Sequence, residues 1–83
     1  SLAHGLKPVL QVGDKGITDN LLAELDIVLE SHELIKVSIA DSDRDNRRSL
    51  TQALCEASSA ELVQIIGKIS ILYRPAEEPR LVL

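Results

Sequence analysis

Gly13-Asp14-Lys15-Gly16 is the stretch of this chain whose residue types and spacing could do chemistry. It stands between an apolar run, residues 8–12 (PVLQV), and a segment from Asp19 that reads as a helix. Glycine permits positive φ and carries no side chain to hold a ligand away from the backbone. The free N–H groups of a first helical turn, together with the helix dipole, favour an anion. Lys15 would add a mobile counter-charge. A sharp strand-to-helix turn with no ligand would use the same residues, so the motif alone leaves both readings open.

Two phosphate motifs are ruled out by spacing. A Walker loop needs four residues between its glycines and then Gly-Lys-Ser/Thr, and the dinucleotide fingerprint needs three glycines. Gly-x-x-Gly remains, the spacing with which KH-type folds clamp a nucleic-acid backbone. The other cations are partly segregated from the acids. Lys7 precedes the first strand, Lys36 and Arg74 fall on one parity of their strands, and Lys68 sits in a turn. Arg44, Arg47 and Arg48 share a flank of a second helix, whereas Asp19, Asp26 and Glu30 lie along the outer face of the first. An ordinary solvated surface with interspersed signs is the competing explanation.

Catalysis has little to draw on. Cys55 has no basic partner nearby in sequence and sits with Thr51 at the border of the second helix, away from its apolar stripe. His32 falls at the end of the first helix, where a packed or C-capping histidine is the common case. No catalytic residue is assigned, and two histidines and one cysteine far apart give no metal-ligand spacing. Asp41-Ser42-Asp43 with Asp45 resembles part of a calcium loop but lacks its glycine and terminal glutamate, so helix capping explains it better. No cofactor is expected.

The elements that must position these residues follow from pattern. At 83 residues the chain suits one domain, 1–83. One Tyr, no Phe and no Trp mean an aliphatic core, and leave only Tyr73 to stack on a base. The net charge of −4 argues against broad attraction to polyanions but permits a local basic patch. A single cysteine allows no internal disulfide and fits a reducing compartment. No apolar run approaches a membrane span and no signal pattern opens the chain, so a cytoplasmic protein with no membrane partner is expected. The first residue is Ser, and the opening SLAHGLKP reads as the tail of something longer, so a missing N-terminal segment is expected.

Strands are predicted over 8–12, 34–40, 61–66 and 69–73, with helices from about Asp19 to Ser31 and from DSDRDN to about Ser58. Leu21, Leu22, Leu25, Val28 and Leu29 form the buried arc of the first helix; Leu50, Ala53, Leu54 and Ala57 form that of the second. Gly67-Lys68 reads as a two-residue hairpin turn. The order β-α-β-α-β-β requires crossovers first and a hairpin last, hence an α/β fold with a mixed four-stranded sheet. Lys36, Ser38, Gln64, Ser70 and Arg74 share one parity, which predicts an open sheet face with the helices on the other. The closing residues AEEPRLVL could add a loose strand.

Longer segments carry a resemblance. LAHGLKPVLQVGDKGIT, LAELDIVLESHELIKVSI and VQIIGKISILYRP are similar, in order and spacing, to the CRM domain (chloroplast RNA splicing and ribosome maturation) in its bacterial stand-alone, YhbY-type form. The resemblance implies an RNA-binding domain whose fold is similar to the C-terminal domain of translation initiation factor 3. It also implies, as partners, RNA of the large ribosomal subunit or its precursor and the corresponding particles. Carried over by position, the RNA-binding residues would be Lys7, Gly13, Asp14, Lys15, Gly16, Lys36, Lys68 and Arg74. The resemblance further implies a basic N-terminal helix, of which residues 1–6 would be the remnant, and this chain is more acidic than is usual for that family. A protein-interaction module docking on a ribosomal protein or assembly factor through the acidic first helix is the alternative.

Overall fold

In a computed structural model, which describes residues 7–76, the order is β1 (Pro8–Val12), α1 (Asp19–His32), β2 (Leu34–Ile39), α2 (Arg44–Ser58), β3 (Glu61–Ile66) and β4 (Ile69–Tyr73). The expectations for an N-terminal helix remnant at 1–6 and for an extra strand in the closing residues 77–83 lie outside the described residues.

Side-chain oxygens start both helices. Thr18 Oγ1 accepts from the Leu21 amide at 3.1 Å, and Asp43 Oδ1 accepts from the amides of Asp45 and Asn46 at 2.8 and 3.2 Å. Each bond satisfies a donor that the helix itself leaves unpaired. Residues with positive φ stop them. Glu33 (φ 62°) closes α1 and Ser59 (φ 61°) closes α2. Glu33 is buried, and its role extends past the cap. Its carbonyl accepts from the Arg74 amide at 3.0 Å and its carboxylate from the Ala76 amide at 2.8 Å, which fastens the chain beyond β4 to the α1–β2 junction.

The sheet order is β1-β2-β4-β3, with β1 parallel to β2 and both remaining pairs antiparallel. The mixed sheet follows as expected, with the order of its strands now fixed. Ile35, Val37 and Ile39 are buried and pack with Val12, Leu72, Leu25, Leu29 and Leu54. This aliphatic cluster is what both helices cover. Burying each such side chain contributes about 1.5–3 kcal/mol before entropy is counted. Among the described residues no helix is long and apolar enough to cross a membrane.

Two details differ from the sequence reading. First, Ser70 and Arg74 are not on the face that carries Lys36. Val37 pairs with Ser70 and Ile35 with Leu72, and directly paired residues share a face. The antiparallel register of β4 therefore puts its even-numbered residues toward the helices, while Lys36, Ser38 and Gln64 face away with Ile69 and Ile71. Second, α2 is turned toward Thr51 and Cys55. Thr51 and Leu54 are buried, Leu50 and Cys55 pack on the core, and Ala53 and Ala57 are exposed. A buried threonine is tolerated because Thr51 Oγ1 and Ser70 Oγ lie 2.7 Å apart, while Thr51 Oγ1 also donates to the Arg47 carbonyl at 2.9 Å.

Candidate nucleic-acid interface

The Gly-x-x-Gly segment forms a tight turn in which the Gly16 amide donates to the Gly13 carbonyl at 2.9 Å. Gly16 has φ +67°, a conformation that strains any residue with a Cβ. At Gly13 the reason for glycine is different. A Cβ there would meet nothing within 4 Å, so the position needs no glycine for packing and presents bare backbone outward.

The loop belongs to one end of the sheet. The Ala40 amide donates to the Val12 carbonyl at 2.9 Å, and the Ile39 amide to the Lys68 carbonyl at 2.8 Å. These bonds bring the ends of β1 and β2 and the Gly67-Lys68 turn side by side. Helix α2 starts at that same end, and Arg47 Nη1 donates to the Asp41 carbonyl at 2.8 Å, tying the helix to the β2–α2 turn. Its first turns present two different flanks. Asn46, Ser49 and Leu50 line a cleft of about 430 Å³ shared with Gly13, Asp14 and Gly16. Arg44, Arg47 and Arg48, with Asp45 among them, line a second cleft, of about 420 Å³, shared with Ile65 and Gly67 of the hairpin. Spacings of three and four residues put each trio on one stripe of the helix.

The expected site residues divide accordingly. Gly13, Asp14, Lys15 and Gly16 share the end of the sheet with Lys68, while Lys36 lies mid-sheet on the face away from the helices. Lys7 is elsewhere. It precedes β1 and lines a hollow with Val9, His32 and Leu34, roughly 20 Å from Gly13 at ~3.3 Å per strand residue. Arg74 is also apart. Its guanidinium bonds Asp26 at 2.8 Å, Glu30 at 3.5 Å and the Ser58 carbonyl at 3.0 Å, on the helix side of the sheet.

Sequence spacing shows the arginines of α2 only as a flank of a helix. What singles them out is the hairpin across from them, which a pattern of spacings within α2 does not contain. Among the described residues Arg74 is the only Lys or Arg in an ion pair, so Lys15, Lys68, Arg44 and Arg48 keep their charges exposed, while the half-buried Arg47 spends one amino group on the Asp41 carbonyl. Acids are present at this end too. Asp43 caps α2, Asp45 lies in its first turn, and Asp41 Oδ1 accepts from the Asp43 amide at 2.7 Å. Among the described residues no group of three or more His, Cys, Asp or Glu could hold a metal ion.

This chain is similar to proteins named for RNA binding. One is the Pseudomonas aeruginosa protein named Probable RNA-binding protein PA4753, 49% identical over 79 residues that span 95% of this chain and 76% of that one. Another is an RNA-binding protein of Haemophilus influenzae, 44% identical over 82 residues, spanning 99% and 83%. The solution structure of the hypothetical protein SAV1595 from Staphylococcus aureus superposes with a TM-score of 0.82 at 40% identity, covering 93% of this chain and 80% of that chain. That superposition bears out the α/β architecture expected from sequence. The CRS1 / YhbY (CRM) domain model matches residues 1–74, and the chain belongs to that family.

Proposed function

We propose that this protein binds RNA by its phosphate–sugar backbone, at the end of the sheet formed by the Gly13–Gly16 loop, the Gly67-Lys68 turn and the start of α2, and that its target is precursor large-subunit ribosomal RNA in the cytoplasm. One observation carries the reading. In a chain of net charge −4, cations from three separate elements, none in an ion pair among the described residues, belong to the same end of the sheet as a loop whose backbone is bare. Lys15 approaches from the loop, Lys68 from the hairpin, and Arg44, Arg47 and Arg48 from the helix, with Lys36 extending the set along the sheet. Contacts of this kind fix orientation on the RNA and carry little sequence information. The similarity to relatives named as RNA-binding proteins supports the partner class. The role is binding, with no catalytic residue assigned.

The alternative, docking through the acidic face of α1, is disfavoured by the ion pairs of Asp26 and Glu30 with Arg74, which give those carboxylates a structural task. The test is a salt titration of binding to large-subunit ribosomal RNA. The double variant Lys15→Ala/Lys68→Ala is expected to weaken binding and to lower the slope of log K against log salt by about two. A slope equal to the wild-type value removes the patch. Sedimentation with precursor large-subunit particles tests the target, and a protein that stays at the top of the gradient sinks that part.

A further inference from the structure

The cleft between the Gly13–Gly16 loop and α2 poses a problem for a purely phosphate-binding site. Asp14 and Asp41 line it, and no Lys or Arg does. Two carboxylates repel a phosphate, so this hollow is not where the backbone charge sits. Its other walls include Ala40 and Leu50, which offer apolar surface, and Asn46 and Ser49, which offer polar atoms. At about 430 Å³ it is within the size range of small-molecule sites, ~300–1,000 Å³. The polar groups are available. Asp41 uses Oδ1 on the Asp43 amide and retains Oδ2, while the side chains of Asp14 and Asn46 hydrogen-bond to nothing among the described residues.

A neutral, flat group with N–H donors on its edge meets all of these conditions. We propose that this cleft takes one unpaired nucleobase, held against Ala40 and Leu50 and read at its amino-bearing edge by Asp14, Asp41 and Asn46. The carboxylates accept from an exocyclic amino group, as acids do from cytosine, and the Asn46 amide pairs with a neighbouring ring atom. Uracil has no amino group and fits the acids less well. The strand then runs with its phosphates toward the cations on either side, Lys15 from the loop and the arginines on the adjacent flank of α2. This assignment rests on the RNA-binding reading and adds a base preference to it.

The test uses short unstructured strands of equal length, one of cytidine, one of uridine and one of abasic ribose phosphate, titrated against the 83-residue chain at several salt concentrations. The cytidine strand is expected to bind about tenfold more tightly than the abasic one, with uridine between, since a good polar base contact is worth about that factor. In Asp14→Ala/Asn46→Ala the difference between strands closes while the salt slope stays at the wild-type value. Simple electrostatics gives the opposite result, a uniform gain for all three strands when a carboxylate is removed. That gain, or equal binding of cytidine and abasic strands by the wild type, overturns the base site and leaves the backbone reading standing. Absence of salt-dependent binding to any strand overturns both.

Discussion

Arg74 Nη1 lies 2.8 Å from Asp26 Oδ1 and 3.0 Å from the Ser58 carbonyl oxygen, so one guanidinium joins α1, the end of α2 and the chain just past β4. Its second amino group reaches the Asp26 carbonyl at 3.2 Å. The side chain is 16% exposed and its partner Asp26 69% exposed, so the contact to the helix carbonyls matters more than the screened ion pair. Arg74→Ala is therefore expected to lower stability by about 1–2 kcal/mol, the range for a charge-assisted bond discounted for solvent. Denaturant unfolding measures the loss. Salt titration of the same variant should give the wild-type slope, because the cation removed is not among those facing the proposed RNA path. A slope lowered by about one would put Arg74 back at the interface.

The two glycines of the loop make a second prediction, because they are glycine for different reasons. Gly16→Ala forces a Cβ into φ +67° and should cost about 1–2 kcal/mol of stability. Gly13 has open space around its missing Cβ, so Gly13→Ala should leave the melting temperature within about 2 °C of wild type. RNA affinity should fall in Gly13→Ala all the same if the RNA packs against the bare backbone at that position. Equal affinity in the two proteins would mean that nothing approaches it.

Much of the architecture was legible because local pattern and global fold agree. The alternation Ile35, Val37, Ile39 against Lys36 and Ser38 gave both the strand and its buried face, and Gly67-Lys68 gave the hairpin. The faces of β4 were not legible, because they depend on a pairing register that residue numbering does not contain. Arg74 was misplaced for that reason. The helical wheel of α2 failed at Thr51 on other grounds. A hydroxyl counts as polar until its partner is known, and that partner, Ser70, is nineteen residues away. The approach of Ile65 and Gly67 to the arginines of α2 was hidden likewise, since only the completed sheet brings the hairpin to the start of that helix.

Cys55 supplies a prediction in pH. Burial pushes its thiol above the ordinary value of 9.0. The folded protein then holds the proton more tightly than the unfolded chain, so with rising pH the unfolded thiol ionises first. The contribution is complete below the unfolded value and is lost as pH rises through the folded one. Stability should therefore decline above about pH 9. In Cys55→Ala that decline should be shallower. Alkylation by iodoacetamide at pH 8.5–9, expected to be slower in native protein than in urea, reads the same group directly, and equal rates would count against it.

The buried Thr51–Ser70 contact permits a sharper test of what holds α2 on the sheet. Thr51 Oγ1 both donates to the Arg47 carbonyl and lies 2.7 Å from Ser70 Oγ, so each hydroxyl is the other's partner in an otherwise apolar layer. Thr51→Val keeps the shape and leaves the Ser70 hydroxyl enclosed and unsatisfied, at a cost of about 1–3 kcal/mol. Ser70→Ala leaves Thr51 its bond to the Arg47 carbonyl and should cost less. If the pair acts as a unit, the double variant should be less destabilised than the sum of the two, by roughly 1 kcal/mol in a double-mutant cycle. Strict additivity would mean that each hydroxyl is satisfied elsewhere, Thr51 by the helix carbonyl alone. Because Arg47 is carried on the same helical turn, loosening this contact should also weaken RNA binding without changing the number of cations engaged, lowering affinity at constant salt slope.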